Sequence, residues 1–173
     1  MRISIHCLLP LALTGMVTGA AASELNLKID IPKINVAEYH RPYTAVWIEA
    51  ADQTVPATLA VWYDVKHKDN GGEKWLKDLR QWWRRAGRDV HMPVDGVSGA
   101  TRTVGEQQLS FNSVKGPLEK LPAGNYQLLV ESARENGTHE IVKLPFQWPP
   151  KNAQSTTARG VLELGAVTLE LKP

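Results

Sequence analysis

With 173 residues and a formal net charge of +2, the chain has the length of one domain and lacks the positive excess that would argue for a nucleic-acid partner. Its one cysteine, Cys7, excludes an intrachain disulfide and a cysteine-built metal site. Residues 1–22 read as a secretory signal peptide. Arg2 supplies the positive start, residues 3–17 form an apolar run too short to span a bilayer comfortably, and Ala20 and Ala22 take the small-residue places of a cleavage site. Cys7 lies inside that run with no lipobox before it, which argues against a lipid anchor. Cleavage after Ala22 leaves residues 23–173 as a single domain without cysteine, exported unfolded because the leader has no twin-arginine pair. Any cofactor is then added outside the cytoplasm.

The elements that follow are mostly strands. LNLKIDI, residues 25–31, alternates with period two. YTAVWIEA (43–50) and ATLAVWYD (57–64) are β-rich apolar runs around Pro56. EKWLKDLRQWWRRAG (73–87) breaks the pattern: Trp75, Leu76, Leu79, Trp82, Trp83 and Ala86 recur at helical spacing, with Lys74, Lys77, Arg80, Arg84, Arg85 and Arg88 mostly on the other side. The spacing predicts one amphipathic helix over 73–87, stopped at Gly87. NYQLLVESA (125–133) and THEIVKLPFQW (138–148) flank Asn136-Gly137, a dipeptide suited to a type I′ hairpin turn. Residues 149–160 read as a polar loop. VLELGAVTLELK (161–172) alternates, slips phase near Gly165-Ala166 and alternates again, as across a β-bulge. The expected fold is mainly β, an immunoglobulin-like β-sandwich with one inserted helix. Leu121, Gly124 and Tyr126 resemble the tyrosine corner of such sandwiches.

Few residues suggest chemistry. Asp64, His67 and Asp69 could face a metal, yet such a set at a strand end is more often a solvated turn. Gly96-Val97-Ser98-Gly99-Ala100 falls one residue short of the hydrolase nucleophile elbow, which in any case needs a strand-to-helix turn and a later acid and histidine. The whole stretch VDGVSGATRT, residues 94–103, is small and bare. It is either a turn between strands, capped by Asp95, or a segment kept thin so that a large group can approach Thr101.

Asp95-Gly96-Val97-Ser98-Gly99-Ala100-Thr101 resembles the flavin-attachment motif of the FMN-binding subunits of membrane redox pumps: Asp, two residues, Ser or Thr, Gly or Ala, Ala, Thr. Arg102 departs from that pattern, which often has Ser or Thr there. The resemblance implies that an extracytoplasmic flavin transferase takes FMN from FAD and joins its phosphate to the Thr101 hydroxyl. Asp95, Ser98, Gly99 and Ala100 would complete the site. The chemistry suits these residue types, because phosphoryl transfer needs an in-line hydroxyl and a segment slim enough to enter another enzyme. The wider chain is similar to an uncharacterised family of predicted periplasmic proteins that carry this motif and occur beside flavin transferases and PepSY-type membrane reductases. That similarity implies a periplasmic carrier of covalent FMN, exchanging electrons with a membrane reductase, rather than an enzyme in its own right.

In one reading the tryptophans of 73–87 are simply a buried helix face. In the other, Trp82 or Trp83 stacks on the flavin and Arg84, Arg85 or Arg88 meets its phosphate or an acidic partner. The alternative function is a non-redox immunoglobulin-like binding module for glycan or protein, using Trp47, Trp62 or Trp148 if they are exposed.

Overall fold

The computed structural model describes residues 22–173; the signal peptide and Cys7 lie outside the described residues, apart from Ala22. Among the described residues, nine strands form two sheets. They are β1 (Glu24–Ile31), β2 (Tyr43–Ala50), β3 (Ala57–Tyr63), β4 (Ser98–Ala100), β5 (Gly105–Asn112), β6 (Gly124–Ala133), β7 (His139–Trp148), β8 (Gln154–Arg159) and β9 (Ala166–Lys172). One sheet has the order β5-β1-β9-β8 and the other β4-β3-β2-β6-β7. All pairs are antiparallel except β3 with β4, which is parallel. The immunoglobulin-like sandwich expected from the sequence is the observed architecture. The tyrosine corner is present: Tyr126 Oη donates to the Pro122 carbonyl at 2.9 Å.

The strand patterns follow from what covers each face. In β1, Leu25, Leu27, Ile29 and Ile31 point into the sandwich and the residues between them face outward, so the alternation is clean. The strands β2 and β3 are buried almost throughout, because the β4-to-β7 sheet is covered on both sides. Its inner face places Val46, Ile48, Trp62, Leu128 and Val130 against the first sheet. Its outer face places Ala45, Trp47, Val61, Tyr63 and Leu129 under Leu76, Leu79 and Trp82. The register of β2 on β3 shifts between Val46 and Trp47, and at that bulge Leu59 and Ala60 both enter the inner core.

The predicted helix over 73–87 is three short pieces: a 3-10 stretch (Lys68–Asp78), α1 (Arg80–Arg85) and a 3-10 turn (Gly87–Asp89). Leu79, at φ −76° and ψ 72°, breaks the run. The cause is a buried carboxylate. Glu131, fully buried on β6, accepts the N–H groups of Gln81 at 2.9 Å and Trp82 at 2.7 Å, donors that a continuous helix would spend on its own carbonyls. The buried set Leu76, Leu79, Trp82 then repeats every three residues, the period of a 3-10 helix. Trp75 falls off that stripe and is 50% exposed, against the expectation that it belonged to the buried face.

Three further expectations change. Residues 154–159 of the supposed polar loop are strand β8, an exposed edge paired to β9. No bulge interrupts β9, which starts at Ala166; residues 161–164 instead wrap the Glu140 carboxylate. The β6–β7 hairpin has a three-residue turn closed by Arg134 N–H to the Thr138 carbonyl at 3.2 Å. Within it Asn136 has φ 54° and Gly137 is not at positive φ, so it is not type I′.

Candidate functional site

The motif is a tight turn that leads straight into a short edge strand. Residues Val94 to Ser98 close on themselves: the N–H groups of Val97 and Ser98 donate to the Val94 carbonyl at 3.2 and 2.9 Å, and Ser98 Oγ accepts the Val94 N–H at 2.8 Å. Gly96 takes φ 70° in this turn, a left-handed conformation that favours glycine. Ser98-Gly99-Ala100 then runs as β4 beside Val61-Trp62-Tyr63. The pairing continues one residue further, with Thr101 N–H donating to the Tyr63 carbonyl at 3.2 Å.

Glycine at 99 permits a close approach. A Cβ there would sit 3.3 Å from Trp62 Cδ1 and 3.6 Å from Arg102 Nη2. Arg102, the departure from the motif, lies over the Trp62 ring at 4.9 Å from its centroid, a cation–π contact that fixes the chain just beyond Thr101. Among the site residues expected from sequence, Thr101, Ser98 and Gly99 are half-buried, while Asp95 and Ala100 are exposed. Ser98 rather than Asp95 holds the turn: the Asp95 carboxylate accepts no hydrogen bond among the described residues.

Thr101 opens on a cleft of about 440 Å³, within the range of small-molecule sites. Its walls come from distant parts of the chain: His40 and Arg41 before β2, Tyr43 on β2, Asp64 and His67 after β3, Trp75 and Asp78 on the 3-10 stretch, and Arg134 and Glu135 in the hairpin turn. Tyr43 Oη donates to the Gly72 carbonyl at 3.2 Å, and burial above all pushes its phenol higher than the usual 10.0, so it stays a neutral donor. Arg134 is committed elsewhere. Its Nε and Nη2 donate to Glu163 at 3.0 and 3.2 Å, with side chains only 5% and 1% exposed. His40 Nδ1 stands 3.4 Å from Glu135 and its Nε2 3.4 Å from Glu38; that nitrogen is buried and has no hydrogen-bond partner among the described residues.

Other candidates lose their geometry. No group of three or more metal-ligating side chains occurs among the described residues, and Asp64 instead accepts the Lys66 N–H at 3.3 Å. Ser98 sits on an edge strand with its oxygen engaged by backbone and no histidine bonded to it. Trp82, one of the proposed flavin-stacking residues, is 1% exposed, and Trp83 packs against the outer core. Trp47, Trp62 and Trp148 are all buried, which removes the aromatic platform from the glycan-binding reading.

Of the cleft's other walls, the sequence singled out Asp64 and His67, as a metal candidate, and Trp75, as part of a helix face. The one available signal that Trp75 is exposed was the spacing 76, 79, 82, which leaves it out of the stripe; nothing marked His40, Arg41 or Glu135.

A family model described as "Predicted periplasmic protein (DUF2271)" matches residues 24–166. The chain belongs to that family. As its description says, the family is periplasmic, in agreement with the exported chain read from the sequence. No curated protein and no solved structure matches this DUF2271 chain. No helix among its described residues is long and apolar enough to cross a membrane.

Proposed function

We propose that this DUF2271 protein is a periplasmic electron carrier holding FMN by a phosphoester at Thr101. One observation carries the reading. The threonine at the acceptor place of the motif is half-exposed at the end of a short edge strand and opens on a cleft with an exposed indole and with Arg41, which makes no ion pair among the described residues. These residues fit the group. The small side chains of 96–100 give a second enzyme access, Asp95 is free to meet it, and Thr101 supplies the oxygen.

The attachment balances without a redox step. A bond forms between Thr101 Oγ1 and the FMN-side phosphorus of FAD, the pyrophosphate bond breaks, AMP leaves, and the hydroxyl proton passes to the transferase or solvent. Once bound, FMN supplies one- and two-electron chemistry, and the protein's part is to hold and orient it. Covalent attachment suits a compartment where a dissociated cofactor would be lost. A membrane reductase of the PepSY type is the proposed exchange partner.

The test is the intact mass of mature protein exported alongside an active extracytoplasmic flavin transferase. The expected gain is one FMN less one water, mapped to the peptide containing Thr101. In Thr101→Ala the flavin should vanish while the circular dichroism spectrum is unchanged. Flavin retained by that variant would rule the reading out. The three tryptophans named for the binding-module alternative, Trp47, Trp62 and Trp148, are buried.

A further inference from the structure

We propose that the cleft beside Thr101 is the seat of the isoalloxazine ring, with Trp75 as its stacking surface; this rests on FMN being attached at Thr101. Trp75 is a large aromatic side chain left 50% exposed although the segment that carries it is anchored by three buried neighbours, Leu76, Leu79 and Trp82. An exposed indole on a firmly anchored segment keeps its position, and stacking on it costs little conformational entropy. Among the described residues, its one aromatic or cationic contact is the Lys77 ammonium at 6.0 Å from the ring centroid. That is the outer limit of a cation–π contact, and it occupies at most one face of the ring.

The charge in the cleft shows which force must hold the ring. Arg41 makes no ion pair among the described residues and is free to face an ester phosphate. Asp64, Asp78 and Glu135 line the same walls, while Arg134 is already paired with Glu163. The cleft therefore has no positive excess. Retention of the ring falls to stacking and desolvation of its apolar surface, with the phosphoester tether supplying a high effective concentration. The same feature explains why a covalent link is needed at all: a free anionic nucleotide would find weak electrostatic attraction here.

The experiment compares flavinylated wild type with Trp75→Phe and Trp75→Ala, using full mature chains whose FMN content is first verified by mass. Indole stacking quenches flavin emission, so wild type should be dim and its emission anisotropy should follow tumbling of the whole protein. Trp75→Ala should be several-fold brighter with lower anisotropy, and Trp75→Phe should lie between. Digestion of wild type to the Thr101 peptide should release the quenching without any substitution. Flavinylated Trp75→Ala with the emission and anisotropy of wild type would overturn the stacking inference alone. A Thr101 left unmodified by an active transferase would overturn the attachment, and this inference with it.

Discussion

The Arg134–Glu163 pair shows how much a single residue can decide. The Glu163 carboxylate also accepts the N–H of Thr138 at 2.8 Å and its hydroxyl at 2.6 Å, so both its oxygens are engaged inside the protein. Truncating Arg134 to Ala strands a charge that is 1% exposed, and breaking a buried pair in this way costs about 3–5 kcal/mol. Urea denaturation should show that loss for Arg134→Ala. The double replacement Arg134→Met with Glu163→Leu should be much less destabilised, because no unpaired charge remains. The same arginine lines the cleft, so the pair fixes part of that wall.

Among the elements, β4 is the most precarious. It has three residues, is held on one side by β3 alone, and depends on the turn before it. That turn uses Gly96 at φ 70°, with nothing within 4 Å of where a Cβ would stand, so an alanine there meets conformational strain and no clash. Gly96→Ala should cost about 1–2 kcal/mol. The effect should be local: hydrogen exchange at the amides of Gly99 and Thr101, which face β3, should accelerate more than at the centre of β2 or β6. Uniform acceleration throughout the sheet would show instead that β4 is part of the global folding unit. The helical cover teaches a related lesson. Its apolar residues were legible at 73–87, but the period was misjudged because Leu76, Leu79 and Trp82 suit a helix of either pitch, and the carboxylate that breaks it arrives from residue 131.

At the level of the whole molecule, the two sheets are tied by Glu140. It stands on β7 of one sheet and accepts the N–H groups of Val161, Leu162, Glu163 and Leu164 at 2.6, 3.1, 2.9 and 2.9 Å, in the loop that enters β9 of the other. Burial pushes its carboxyl upward, but the four N–H donors outweigh that and hold it below the usual 4.5. A carboxyl depressed in the folded state contributes stability that is present above the unfolded value and is lost as pH falls through the folded one. The protein should therefore lose stability below about pH 4.5. Glu140→Gln should flatten that acid limb in thermal melts while lowering stability at neutral pH. An acid limb of the same slope in both proteins would place the pH dependence elsewhere.

The sequence by itself determined β1, β2, β3, β6, β7 and β9, the sandwich and the tyrosine corner. Each rests on a local pattern: period-two alternation in β1 and β9, β-rich apolar runs in β2 and β3, and the spacing of Leu121, Gly124 and Tyr126. The tertiary structure alone decided the rest. Residues 154–159 carry no apolar face, so only the open edge of β9 makes them a strand. Trp75 and Trp82 are alike in sequence; one is exposed and the other buried because Glu131 sets where α1 begins. The cleft at Thr101 draws its walls from residues as far apart as His40 and Glu135. Their proximity follows from strand order, and strand order is settled by which faces can be buried together, a property of the folded chain as a whole.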